Sequence, residues 1–210
     1  MNLTALSLIV AGLVTLGVTV ESIKSVSTVP TEKTVETTKL PTVTNKVSSS
    51  TLKLKELNLS SNRQVYITGA IEDNAGGIAK QILNLGKSSE PITIIINSPG
   101  GSVIDGAEII SAIEAARGPV NTLCVQLCAS MAAMIHSYGT NRLMLNRSIV
   151  MFHPASGMVE GEVDKMYSRL GTLKRYVGKM ELNVAKRAHI SYEQYKSLSG
   201  VELWLDAEDA

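Results

Sequence analysis

From Gln64 onward the chain alternates short apolar runs with longer amphipathic stretches, and that alternation leaves few folds open to it. The run QVYIT at 64–68 precedes a stretch of helical periodicity near 75–85. ITIII follows at 92–96, a second helical stretch at 103–116, and then TLCVQL at 122–127. Continuously apolar strands need cover on both faces, and strands joined by helical crossovers lie parallel. The succession therefore predicts βαβ units, a largely parallel sheet and helices outside it. A further helix is expected to begin at Ser130, with strands near 142–145 and 149–152 after it. A long helix is expected from Glu162 to His189, where Val163, Met166, Leu170, Leu173, Val177, Met180 and Val184 make one apolar stripe at three- and four-residue spacing. Its length suggests that part of the stripe meets another subunit.

At 210 residues and 44% hydrophobic, the chain can build one sizeable core. Lys and Arg number 20 against 19 Asp and Glu, a balance that gives no reason to expect a nucleic-acid partner. With a single Trp204 and a single Phe152, the core must rest on Ile, Leu, Val, Ala and Met. Cys124 and Cys128 stand four apart in one apolar run. Strand geometry argues against a mutual disulfide, so both are expected as small buried thiols in a reducing compartment. No set of side chains suggests a metal or a cofactor.

Residues 1–22 contain an almost unbroken apolar stretch, Leu3 to Val20, which as a helix would span about 27 Å, close to the hydrocarbon thickness of a bilayer. It is read as a membrane anchor, with a cleaved signal as the alternative. Lys24, Lys33, Lys39 and Lys46 all follow it, which places the remainder on the cytoplasmic side; a cleaved signal would instead mean secretion. Residues 23–62, rich in Thr, Ser, Val and Lys without sustained periodicity, read as a flexible linker. The folded domain is assigned to 63–210.

Two strand-to-helix junctions carry candidate chemistry. In Asn97-Ser98-Pro99-Gly100-Gly101-Ser102 the glycines permit a sharp turn that exposes backbone N–H groups at a helix N-terminus, which suits an oxyanion as well as it suits a plain β-to-α turn. In Cys128-Ala129-Ser130-Met131-Ala132-Ala133 small residues flank a serine as the strand ends. That arrangement fits an exposed nucleophile or an ordinary helix N-cap. His153 ends the strand SIVMF and precedes Pro154, a better position for a general base than His136 inside a helix or His189 at the end of one.

The ordered set INSPGGSV, CASMAA and MFHP resembles the proteolytic subunit of the Clp family of serine peptidases, including its phage-borne members. The spacing is similar too, with Ser130 twenty-nine residues after Gly101 and His153 twenty-three after Ser130. The resemblance runs from about Gln64 to Ala210. It implies a ClpP/crotonase-like α/β spiral of βαβ units with a long protruding helix. It further implies Ser130 as nucleophile, His153 as general base, and the N–H groups of Gly101 and Met131 as the oxyanion hole. The family's acid, an Asp before an aromatic-Leu-x-Ala-Glu-x-Ala run, is matched here by Glu202 ahead of Leu203-Trp204-Leu205-Asp206-Ala207; Asp206 and then Asp164 are the weaker candidates.

The resemblance implies a serine endopeptidase acting on unfolded proteins or peptides, assembled into a homo-oligomeric ring. The family continues past the equivalent of Ala210 through a helix and a further short element. Its N-terminal loop and first helix, which serve unfoldase docking, are replaced here, and this weighs against an ATP-dependent unfoldase partner. Alternatives are a catalytically silent ring subunit or membrane-tethered scaffold, an acyl-CoA-processing enzyme of the related spiral fold, and a Ser/Lys peptidase using Lys174 or Lys179.

Overall fold

The computed structural model of the chain describes residues 62–210. The apolar stretch at 1–22 and the linker through residue 61 lie outside the described residues, among which no helix is long and apolar enough to cross a membrane.

The elements run β1 (Gln64–Thr68), α1 (Ala75–Leu85), β2 (Ile92–Ser98), α2 (Val103–Glu114), β3 (Val120–Ala129), α3 (Met131–Ser137), β4 (Arg142–Met144), β5 (Ile149–Phe152), α4 (Val163–Arg187), α5 (Tyr192–Leu198) and β6 (Leu203–Asp206). The sheet order is β1-β2-β3-β5-β6, with β4 beside the first half of β3. β1 to β5 pair in parallel, as the βαβ reading expects, and β6 returns antiparallel to β5.

Isoleucine explains the central strands. Its branched Cβ is stiff in χ1 and packs well on a pleated surface, so ITIII is extended by preference as well as by tertiary context. Ile92, Ile94 and Ile96 of β2 and Val65 and Ile67 of β1 are fully buried. Ile78 and Ile82 of α1 and Ile109, Ile110 and Ile113 of α2 join the same core, each worth about 1.5–3 kcal/mol of burial. α2 starts at Ser102, whose Oγ accepts from the Asp105 N–H at 3.3 Å.

The expectation of two separate thiols is corrected. The Sγ atoms of Cys124 and Cys128 are paired as a disulfide, with the Cα atoms 6.0 Å apart. Four residues apart in a regular strand would span about 13 Å. The reason is a bulge: Ile96 pairs with Cys124 and Ser98 with Cys128, so between those pairs one residue of β2, Asn97, faces three of β3. The Asn97 side chain fills the gap, its Oδ1 accepting from the Leu127 N–H at 3.3 Å and its Nδ2 donating to Gln126 Oε1 at 3.2 Å. Both cysteines are buried, as expected.

The stripe on α4 divides. Met180 and Val184 are buried in the core, whereas no residue from Val163 to Tyr176 is buried, and Val163, Tyr167 and Leu170 are exposed. This is the long protruding helix. After it, α5 carries a capping box: the Ser191 Oγ accepts from the Gln194 N–H at 3.1 Å, and the Gln194 Oε1 accepts from the Ser191 N–H at 2.8 Å.

Candidate active site

β3 passes into α3 with a single residue between them, and that residue is Ser130. Its φ of 55° and ψ of −121° are unusual for a side chain with a Cβ, a cost of about 1–3 kcal/mol that the surroundings must hold in place. They do so by hydrogen bonds on both sides: the Ser130 N–H donates to Met151 O of β5 at 2.8 Å, and its carbonyl accepts from the Met134 N–H at 3.1 Å. The hydroxyl makes no helix cap, so the N-cap alternative does not account for this serine.

The parallel pairing of β3 with β5 sets the partner. Ala129 lies opposite Met151, so both strands end at the same level and Ser130 and His153 leave them side by side. His153 Nε2 stands 2.7 Å from Ser130 Oγ. With the ring proton on Nδ1, the hydroxyl donates to Nε2, the arrangement in which a base can take that proton.

The glycine turn meets the serine from the β2 side. Gly100, at φ 95°, lies so close to the elbow that a Cβ there would stand 2.7 Å from Ser130 Cβ and 2.9 Å from Met131 N. Ser98, fully buried, holds the turn by accepting from the Gly100 N–H at 3.1 Å. Gly101 is bridged to Ile71 through the Ile71 N–H to Gly100 O (2.9 Å) and the Ser102 N–H to Ile71 O (2.8 Å), a pattern that does not use the N–H of Gly101 itself. Met131 is the first residue of α3, where an N–H has no acceptor within the helix. Gly101, Ser130, Met131 and His153 line one cavity of ≈ 90 Å³.

The carboxylates are placed less simply. β6 pairs with β5 as far as Phe152 opposite Leu203, and the residues next beyond that last pair are His153 and Glu202. Its side chain nevertheless turns to Trp204, accepting from Nε1 at 3.0 Å, and among the described residues no hydrogen bond joins it to His153. Asp206 pairs with Ile149 at the other end of β5, and its Oδ1 accepts from the N–H groups of Glu208 (2.8 Å) and Asp209 (3.1 Å), which closes a turn. Asp164 is exposed on the first turn of α4. Lys174 and Lys179 are exposed and neither lines the Ser130 cavity.

The other two histidines stand apart. His189 is exposed just beyond α4. His136 is buried in α3 with Nδ1 unpartnered, and burial, then the charge of Arg142, pushes its pKa down from 6.5 to about 4. The folded protein keeps this ring neutral, whereas the unfolded chain protonates it below pH 6.5. Its contribution is complete above that value and is lost as pH falls toward 4, a loss of about 3 kcal/mol. Urea unfolding at pH 7 and pH 4 is expected to show a drop in wild type larger by about that amount than in His136→Phe, which has no titrating group at this position.

The sequence reading places Gly100 in the sharp turn, and the structure adds its close approach to the elbow. A residue of the site that the sequence reading misses is Glu181, only 5% exposed, which lines the Ser130 cavity. Its signal was a charge set within the stripe between Met180 and Val184. Its carboxylate accepts from Tyr192 OH at 2.8 Å and from Lys196 Nζ at 3.1 Å. The neighbouring Tyr195 phenol is pushed up to about 12 by burial and then by the Glu181 charge.

Residues 49–210 match the family described as Clp protease. Two relatives named ATP-dependent Clp protease proteolytic subunit 2, from Prochlorococcus marinus strains NATL2A and MIT 9312, are each 30% identical over 158 residues. The match covers 72% of this chain and 79% and 78% of theirs. A third, named ATP-dependent Clp protease proteolytic subunit, from Carsonella ruddii strain PV, is 36% identical over 104 residues, covering 48% of this chain and 54% of its own.

Proposed function

Because the chain belongs to the Clp protease family and is a serine-type peptidase, we propose that it hydrolyses peptide bonds of unfolded chains or peptides through an acyl-enzyme on Ser130. The observation that carries this is the 2.7 Å contact of His153 Nε2 with Ser130 Oγ at a turn held at positive φ. Ser130 Oγ attacks the carbonyl carbon while its proton passes to His153 Nε2. The carbonyl oxygen becomes an oxyanion held by the N–H groups of Gly101 and Met131, each such donor being worth about 2.7–4 kcal/mol in the transition state. Collapse breaks the C–N bond, and His153 returns the proton to the leaving amine. Water then repeats the sequence on the ester and restores Ser130.

Glu202 is the third member of this proposal. Its position supports it, since Glu202 and His153 are the next residues beyond the last pair of the β5–β6 ladder, Phe152 with Leu203. In this role the carboxylate must leave Trp204 Nε1 and accept from His153 Nδ1. The unburied half of α4, with Val163, Tyr167 and Leu170 exposed, supports assembly into rings through that helix. The relatives are named as subunits of an ATP-dependent protease, which supports an ATP-dependent partner for this chain.

A fluorophosphonate is expected to label Ser130 once per chain. The label should vanish in Ser130→Ala and form much more slowly in His153→Ala. A folded wild-type protein that takes no label at Ser130 would overturn the proposal, and would favour the silent subunit of the same fold.

A further inference from the structure

A buried carboxylate on the wall of the catalytic cleft needs a reason. Besides Ser130 and His153, the cavity is walled by Met134, Phe152, Val177 and Met180, with Glu181, Ser156 and Tyr195 among them. Glu181 is held by Tyr192 and Lys196, and neither of these lines the cavity. The grip therefore comes from the α5 side, leaving Glu181 between its partners and the cleft. Its oxygens accept three hydrogen bonds, one at Oε1 and two at Oε2, out of about four lone-pair sites on an ionised carboxylate. One acceptor site remains.

Resting on the peptidase reading above, we propose that this cavity receives the substrate side chain preceding the scissile bond, and that Glu181 selects there a long, neutral side chain ending in an N–H donor, glutamine above all. The size suits one side chain, since the cavity is ≈ 90 Å³. The charge balance decides its chemistry. Lys196, with its side chain 43% exposed, already cancels the Glu181 charge. A cationic tip would bring an unpaired charge into the cleft, and an anionic tip would face a like charge. A purely apolar tip would leave the remaining acceptor site unmet, whereas an amide N–H fills it and its stem packs on Met134 and Met180.

The competing role for Glu181 is purely structural, tying α5 to α4 through Tyr192 and Lys196. Selectivity separates the two roles, because a tie that only holds helices changes all substrates alike. Internally quenched peptides identical except for Gln, Met, Lys or Glu before the cleaved bond provide the measurement. In wild type the Gln peptide is expected to have kcat/KM about tenfold or more above the other three. In Glu181→Met/Lys196→Met, which leaves no cation stranded, the advantage of Gln over Met should disappear. An unchanged Gln-to-Met ratio in that variant, or a wild type that prefers Met, overturns the inference.

Should the double variant fail to fold, Glu181→Gln keeps the volume and the bond from Tyr192. It is expected to raise the Glu peptide at least tenfold relative to Gln, and an unmoved ratio again overturns the assignment. Failure of the peptidase reading is distinguishable from either result: no peptide is cleaved and the fluorophosphonate finds no Ser130, and this inference falls with it.

Discussion

Ser130→Ala is expected to lower kcat by about 10⁶-fold, and His153→Ala by a similar factor, because in the proposed mechanism the two, 2.7 Å apart, act as one unit. The double variant should be no worse than either single one. What remains is expected to come from the proposed oxyanion hole, the N–H groups of Gly101 and Met131, which neither substitution removes. Steady-state hydrolysis of a peptide together with fluorophosphonate labelling checks all three. A single variant retaining more than about a hundredth of wild-type kcat would break the assignment. A third substitution separates chemistry from folding. Ser130→Gly removes the hydroxyl and also the Cβ that makes φ 55° costly, so the inactive protein should be more stable than wild type by about 1 kcal/mol in urea. Such a gain would mean that the elbow is strained for its chemistry.

The same elbow shows why so much of the site was legible. Three short motifs each had an ordinary explanation, but INSPGGSV, CASMAA and MFHP all fall at the C-terminal ends of parallel strands β2, β3 and β5. In a parallel sheet those ends lie together, so motifs far apart in sequence meet once the βαβ pattern is granted. The apolar periods that define the strands and the glycines that end them are local signals, and they carried the fold as far as the long helix.

What stayed hidden depends on contacts that no period reports. The β3 bulge that brings Cys124 to Cys128 arises where Asn97 of β2 reaches into the gap, a cross-strand event that the run TLCVQL does not announce. β6 has only four residues and exists because it closes the edge beside β5, so its antiparallel course is set by tertiary pairing. α5 could have been found, since Ser191 and Gln194 form a capping box visible in the sequence. The stripe on α4 gave the helix but not its division. An apolar face looks the same to a period count whether its own core covers it, as at Met180 and Val184, or nothing in the described chain does, as at Val163 and Leu170.

Glu202→Gln is expected to reduce kcat by about 10⁴-fold while leaving the fold and fluorophosphonate access to the cleft intact. A base that accepts at Nε2 must carry its proton on Nδ1, and the imidazolium formed on attack needs a negative charge beside that proton. An amide can donate its N–H to Nδ1 as readily as its oxygen accepts from it, so it does not enforce that tautomer, and it carries no charge to stabilise the imidazolium. The β5–β6 register favours Glu202 for this task over Asp206, because the ladder sets Asp206 against Ile149, three residues back along β5 from Phe152. Asp206→Asn should accordingly leave kcat within about twofold, its role being to accept from the Glu208 and Asp209 N–H groups. Trp204 supplies the opposing force, since its indole N–H holds the Glu202 carboxylate at 3.0 Å. Exposed hydrogen bonds of this kind are worth about 0.5–1.5 kcal/mol, so Trp204→Phe, which deletes the donor and keeps the ring, should raise kcat by about two- to tenfold if the carboxylate must leave the indole to reach His153. Equal activity in wild type and Glu202→Gln would remove Glu202 from the mechanism and leave Ser130 and His153 working as a pair.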